Sequence, residues 1–293
     1  MRAINFPQIV RRIKKDIRTF GPNILKVDAG RWMGSAEVTA KLRDIGVISL
    51  RPLDSDLDTF RQVYQQRQYK VAMPDQRERL NRYYEQLLEL GVVPVIIDAG
   101  ANVGAAALWF STTYPRARIV AIEPDAASAA RCRFNTVSRS NVTVVEGAIG
   151  GTPGRVAVVK SEKSWAIITE RTDAQAGLKV ATVRELADQA GKPSALFIVK
   201  VDIEGFEADL FETGTEWISE TAAVYIEVHD WLFPNKRTSQ SMQKAMWGQG
   251  FEILLQGENM MFIREEGELA NMLTARQKEQ QSGGKAGESV GQR

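Results

Sequence analysis

Apolar positions along this chain follow two rhythms. In the first 20 residues Ile9, Val10, Ile13, Ile17 and Phe20 recur at helical spacing among basic and polar residues, which predicts an amphipathic helix. Residues 21–91 are mixed and then helical. Leu80, Tyr83, Tyr84, Leu87 and Leu88 mark one side of a helix over 79–90 that Gly91 and Pro94 end. From Val95 the pattern becomes strand, helix, strand, helix. The run over 92–97, broken only by Pro94, reads as a fully buried parallel strand, with a helix over about 102–113 after it. RIVAIE, over 118–123, is a second buried strand, and EPDAASAARCRFN opens the next helix. A third strand is expected over 141–149, a β-hairpin over 150–172 around the turn Thr152 to Gly154, and a helix over 178–189 stopped by Gly191. A fourth strand over 195–203 and a fifth over 222–231 follow. A helix over 239–249 and two strands, 251–256 and 259–264, meeting at a tight turn at Gly257, close the pattern.

This order of elements is that of an α/β protein on a mostly parallel sheet. It divides into an N-terminal helical or mixed cap (1–91), a core unit (92–266) and an extension (267–293) whose Gln, Ser, Gly and Lys content predicts disorder after about residue 276. Composition sets limits. Hydrophobic content of 44% and charged content of 25% are those of a soluble globular chain. A net charge of +2 is not that of a dedicated nucleic-acid binder, so no nucleic-acid partner is expected. The first 20 residues carry six Arg or Lys against one Asp. Such a helix can lie on an anionic membrane surface, but packing against its own domain or a second subunit is the favoured reading. The lone Cys132 excludes an internal disulfide and a cysteine-rich zinc site, and reads as a small core residue. No membrane span and no signal-peptide core stand out, so a cytoplasmic enzyme is expected.

The candidate chemistry lies where the strands end. Ala99, Gly100, Ala101 and Gly104 let the backbone turn sharply from strand to helix and let a ligand approach the main chain, which suits a nucleotide or nucleoside. The dinucleotide fingerprint would place glycine at 102, where this chain has Asn102. Asp98, just before the turn, suits a ligand with cationic character, such as the amino group and sulfonium of S-adenosylmethionine. Glu123, 19 residues after Gly104 at the end of the second strand, fits an acid that accepts hydrogen bonds from both ribose hydroxyls, a device nicotinamide enzymes share. Glu146, Ala148 and Ile149 are candidates to line the adenine. Asp202, Glu204 and Glu207 stand at the same sheet edge; the two glutamates also read as first-turn acids of a helix, and Asp202 requires a partner such as Lys200 or a ligand cation. Glu227 and the chain's single histidine, His229, reach that edge from the fifth strand.

Taken together, IIDAGANVGAAAL, IVAIEPD, VVEGAIG, VKVDIEGFEADLF and YIEVHDW resemble the FkbM-type family of class I methyltransferases over about 95–265, with SLRPLDSDLDTFRQVYQQRQY similar to the family's entry region. The resemblance implies a Rossmann-like fold with a seven-stranded, mostly parallel sheet, an antiparallel closing strand and an N-terminal cap. It implies methyl transfer from S-adenosylmethionine, commonly to a hydroxyl oxygen of a sugar, glycan or natural product. By the motif match, Asp98, Gly100, Asn102 and Gly104 would hold the methionine end, Glu123 the ribose, and Glu146 with Ala148 the adenine side. Ala105 to Ala107 stand where members often carry bulkier residues. An alcohol needs a base to take its proton, and His229 is the candidate, with Asp202 or Glu227 orienting it or the substrate. Asp202, Glu204, Glu227 and His229 can also supply ligands to Mg²⁺ or a similar ion, without forming a closed ligand motif, so a divalent metal is possible but not predicted. Acceptor recognition falls to the cap and to the hairpin around 161–168, where Trp165 could stack on a sugar or fill an apolar seam. A nicotinamide-dependent oxidoreductase and a non-catalytic partner subunit of the same fold are the alternatives.

Overall fold

The computed structural model describes residues 6–160 and 167–288. Helices α1 (Phe6–Phe20) and α2 (Leu25–Met33) lead into a two-stranded antiparallel hairpin, β1 (Val38–Leu42) and β2 (Gly46–Leu50), which the mixed pattern of this region did not disclose. The basic face of α1 turns outward: Arg11, Arg12, Lys14, Lys15 and Arg18 are exposed. Its acid turns inward, since Asp16 is buried and receives Arg61 at 2.6 Å and Gln65 at 2.7 Å. The helix is thereby held on its own chain. After α3 (Asp56–Phe60) comes α4 (Pro74–Glu89), which starts earlier than residue 79 because Pro74 occupies the first turn, where a missing N–H costs nothing.

The core unit follows as β3 (Val93–Ala99), α5 (Ala105–Thr113), β4 (Arg118–Glu123), α6 (Ala126–Thr136) and β5 (Val142–Glu146). The third strand is shorter than its apolar run. At Gly147 the chain leaves the main sheet, and β6 (Ala148–Ile149) joins a second sheet; a side chain at 147 would press on the Lys179 carbonyl at 3.1 Å. That second sheet has the order β6, β9, β7, β8, with β7 (Gly154–Lys160) antiparallel to β8 (Ile167–Arg171) and to β9 (Leu178–Ala181). The turn Thr152 to Gly154 therefore links β6 to β7 and is not the hairpin tip. The expectation placed on Trp165 falls outside the described residues. The helical reading of 178–189 is also corrected. Leu178–Ala181 pairs as a strand, and Thr182 starts α7 (Val183–Asp188) through a reciprocal capping box with Glu185.

The chain then runs through β10 (Ser194–Val201), α8 (Glu207–Leu210), β11 (Ala223–Glu227), α9 (Gln240–Met246), β12 (Phe251–Gln256), β13 (Asn259–Arg264) and α10 (Glu266–Glu288). This last helix continues past residue 276, where composition suggested disorder. The main sheet has seven strands in the order β12, β13, β11, β10, β3, β4, β5. Strands β11, β10, β3, β4 and β5 are parallel, and β13 runs antiparallel to both β11 and β12. This is the expected mostly parallel sheet with its antiparallel closure. Connections leave β3 toward β4 on one side and return through β10 on the other, so the strand order reverses at β3, where an α/β sheet opens a crevice for ligands. One face is packed by an apolar cluster running from Phe20, Ile48 and Leu57 through Phe110 to Tyr225, so the segment before residue 92 shares a core with the sheet. Val95, Leu210, Trp217 and Phe262 belong to the cluster on the other face.

Candidate active site

The turn after β3 is fixed by its own backbone. The N–H groups of Gly100 and Ala101 both donate to the Ile122 carbonyl at 3.0 Å. Gly100 has φ +75°, and a Cβ there would lie 1.7 Å from the Asp202 carbonyl oxygen, so no side chain fits. Gly104 has φ +86°, and a Cβ would meet Cys132 Sγ at 2.9 Å; it lets α5 approach α6 and lines neither of the two cavities described below. Glu123 locks the same turn. One carboxylate oxygen accepts from the Asn102 N–H at 2.7 Å and the other from the Asp125 N–H at 2.9 Å. Burial raises the Glu123 pKa to about 7, against the opposing pull of those two N–H groups and Lys200.

Around this turn are two adjoining cavities. The first is lined by Gly100, Asn102, Glu123, Ala148, Ile149 and Phe206, together with Arg51, Asp54 and Ser55 from the N-terminal segment. Arg51 is held by the fully buried Asp56 at 2.7 Å and bonds Ser128 at 3.2 Å. The second cavity, about 280 Å³, is lined by Gln68, Tyr69, Lys200, Glu227, His229 and Glu258 among others. Ser55, Gly100, Asn102, Asp202 and Glu204 line both.

Two residues expected in the cofactor site point elsewhere. Asp98 is fully buried and reaches neither cavity; Lys200 Nζ lies 3.1 Å from it and donates to the Gly100 carbonyl at 2.8 Å. Burial opposes the Lys200 charge, but Asp98, Tyr69 and Asp202 outweigh it and hold the pKa well above the ordinary value. Asp98 thus anchors the floor of the site through Lys200. Glu146, beside the kink at Gly147, pairs with Arg133 at 3.3 Å on the surface and does not line the adenine side, whereas its neighbour Ala148 does.

The expected catalytic group does assemble. Asp202 follows directly on β10, Glu227 ends β11 and His229 lies two residues beyond. His229 Nε2 is 3.6 Å from Asp202 Oδ1 and 3.9 Å from Glu227 Oε1. Lys200 is the partner that Asp202 required, at 3.5 Å. Glu207, placed at this edge from sequence but given no role toward His229, is the partner of the imidazole: its carboxylate, 1% exposed, sits 2.7 Å from His229 Nδ1 and sets the orientation of the ring. A carboxylate so deep in GFEADLF was the signal, since burial of an acid demands a partner. Burial lowers the His229 pKa, but the Glu207 hydrogen bond and the charges of Glu207, Asp202 and Glu227 outweigh it and raise it to about 9. Burial and the Asp202 charge raise Glu227 to about 8.

A profile of the methyltransferase FkbM domain matches residues 98–253, more than half of the chain. The chain belongs to the FkbM methyltransferase family. Membership in the FkbM family makes the protein a methyltransferase, implies S-adenosylmethionine as its methyl donor and sets aside the nicotinamide reading of the glycine turn. A curated relative, 2-O-methyltransferase NoeI of Sinorhizobium fredii (strain NBRC 101917 / NGR234), is 27% identical over 179 residues, covering 55% of this chain and 73% of its own length. Similar solved structures include a putative O-methyltransferase from Klebsiella pneumoniae (11% identity, 71% of this chain and 96% of that one, TM-score 0.38). A putative caffeoyl-CoA O-methyltransferase from Staphylococcus aureus is another (10% identity, 73% and 94% covered, TM-score 0.35). No helix among the described residues is long and apolar enough to cross a membrane.

Proposed function

We propose that this FkbM-family chain methylates a hydroxyl oxygen of a sugar, glycan or similar hydroxylated small molecule. The observation that carries this reading is the junction of the two cavities: they share Gly100, Asn102 and Asp202, and the His229 cluster stands on the wall of the second. The relative NoeI is a 2-O-methyltransferase, which supports oxygen as the acceptor atom.

The first cavity fits S-adenosylmethionine. Each Glu123 oxygen accepts one backbone N–H and keeps a further lone pair, enough for two ribose hydroxyls. Gly100 and Asn102 would hold the methionine end, and Ala148 with Ile149 the adenine. When bound, the cofactor supplies a methyl group on a cationic sulfonium, a good leaving group. The protein's tasks are alignment and removal of a proton. Lys200 and Asp98 hold the floor of the shared region rigid from below. His229 Nε2, Asp202 and Glu227 converge on the second cavity and take up the hydroxyl proton as a group, while Glu207 fixes the imidazole. The cap residues Ser55, Gln68 and Tyr69 line the acceptor side.

Methyl transfer from S-adenosylmethionine to a panel of sugars and glycosides, followed by mass spectrometry, tests the reading. With an accepted substrate, His229→Gln lowers turnover by about 10²-fold or more while affinity for S-adenosylhomocysteine stays within about twofold. Unchanged turnover removes His229 from the chemistry. Transfer only to nitrogen or carbon acceptors refutes the hydroxyl assignment.

A further inference from the structure

Asp202, Glu227 and His229 form a set whose ligand atoms lie within 4.8 Å of one another. Acidic groups near each other do not by themselves make a cation site. The imidazole supplies the independent observation. His229 is 3% exposed, and its Nδ1 is committed to Glu207 at 2.7 Å. Its Nε2 has no hydrogen-bond partner among the described residues and faces Asp202 Oδ1 at 3.6 Å and Glu227 Oε1 at 3.9 Å, both beyond hydrogen-bond reach. A buried carboxylate on one ring nitrogen, with the other nitrogen aimed at two carboxylates, is the outer-shell arrangement of metal-binding histidines.

Geometry and charge agree. Separations of 3.6 and 3.9 Å are too long for hydrogen bonds and short enough for one ion to be shared between the imidazole and each carboxylate. The second cavity also carries five acids, Asp58, Asp202, Glu204, Glu227 and Glu258, against Lys200 and His229. Lys200 lies 3.5 Å from Asp202 Oδ2 but is held closer by Asp98 and by the Ala99 and Gly100 carbonyls, which leaves Asp202 Oδ1 facing the imidazole.

We propose that Asp202, Glu227 and His229 bind a divalent cation, with Glu207 as the outer-shell partner that orients the imidazole. Two carboxylates and one imidazole suit Mn²⁺ or a similar ion that accepts both oxygen and nitrogen ligands. Three protein ligands leave coordination positions open toward the cavity, where an acceptor hydroxyl can bind. The cation lowers the pKa of that hydroxyl; its O–H bond breaks, the electron pair stays on oxygen and the proton leaves to water. The inference rests on the reading of this cluster as the acceptor-activating site and changes what occupies it, from a shared proton to a metal ion.

The test is titration of the purified full chain with Mn²⁺, following loss of the free-ion signal by electron paramagnetic resonance, without donor or acceptor present. One equivalent should bind and be released by a chelator. Glu227→Gln and Asp202→Asn should each weaken binding at least tenfold, whereas Glu89→Gln, exposed at the end of α4 and outside both cavities, should change it less than threefold. Titration with S-adenosylhomocysteine confirms that each variant is folded. No saturable Mn²⁺ binding, or binding insensitive to both ligand variants, overturns the proposal. Transfer to a hydroxyl at full rate in chelator-treated protein does so too while leaving the methyltransferase reading intact. Mn²⁺ binding by this set without transfer to any hydroxyl separates the two in the opposite direction.

Discussion

Glu123→Gln isolates what the buried carboxylate contributes to the cofactor site. In the wild type its two oxygens accept the Asn102 and Asp125 N–H groups at 2.7 and 2.9 Å, leaving one lone pair on each for a ribose hydroxyl. The amide has the same shape but only one oxygen, so its NH₂ must face one of those backbone donors and one hydroxyl loses a charged acceptor. A hydrogen bond to a charged group contributes about 1.5–3 kcal/mol, which sets the expected loss of S-adenosylhomocysteine affinity at about 10- to 150-fold. Acidity provides a second readout. Burial lifts the Glu123 pKa to about 7, and the ionised form is the one that accepts both hydroxyls. Affinity of the wild type should therefore fall as pH drops through 7, by about tenfold between pH 8 and pH 6, while the glutamine variant stays flat. The same raised pKa acts oppositely on the ligand-free fold. Its contribution to stability is complete below the unfolded value of 4.5 and is lost as pH rises through about 7. Calorimetric titration at pH 6, 7 and 8 measures the binding side. A variant that binds within twofold of wild type, or a wild type whose affinity ignores pH over this range, would refute the role of Glu123 as the ribose acceptor.

Other substitutions probe the scaffold. Lys200→Met leaves Asp98 buried without its cation and should cost about 3–5 kcal/mol in urea unfolding, with partial recovery in Lys200→Met/Asp98→Asn; a cost under about 1 kcal/mol would contradict the pairing. Gly104→Ala combines φ +86° with a contact at 2.9 Å to Cys132 Sγ, and should destabilise by about 1–3 kcal/mol, read as a lower urea midpoint. Asn135→Ala removes bonds to Ser49 N–H (2.7 Å), the Ser49 carbonyl (3.2 Å) and the Val103 carbonyl (2.8 Å). It should cost about 2–4 kcal/mol and weaken S-adenosylhomocysteine binding, because Asn135 ties β2 to the glycine turn; unfolding and calorimetry check the two effects.

The parallel strands were legible because burial on both faces leaves uninterrupted apolar runs, and the closing pair because Gly257 separates two β-rich segments. The convergence of Asp202, Glu227 and His229 followed from edge position alone. What periodicity did not reveal depends on contacts distant in sequence. The β1–β2 hairpin is too short and mixed to carry a clean alternation. Strand β9 was absorbed into a helical reading because LKVA lies directly before the VREL stretch, although Thr182 and Glu185 marked the true start. Glu146 was assigned by analogy of strand ends, yet the chain turns at Gly147 and directs it to Arg133. Glu207 and His229, 22 positions apart, meet only when α8 is laid beneath the end of β11.

Ser55 borders both cavities, Arg51 and Asp54 border the first, and Gln68 and Tyr69 border the second, although all precede the sheet that carries the glycine turn. The stretch before residue 92 is thus no detachable module. With the donor in the first cavity and the acceptor in the second, as proposed above, a chimera that exchanged it with the equivalent stretch of a relative would replace part of both walls. Altering what this enzyme methylates by such a graft would therefore alter how tightly it holds its cofactor, and point changes at Gln68 or Tyr69 offer the route that keeps the two apart.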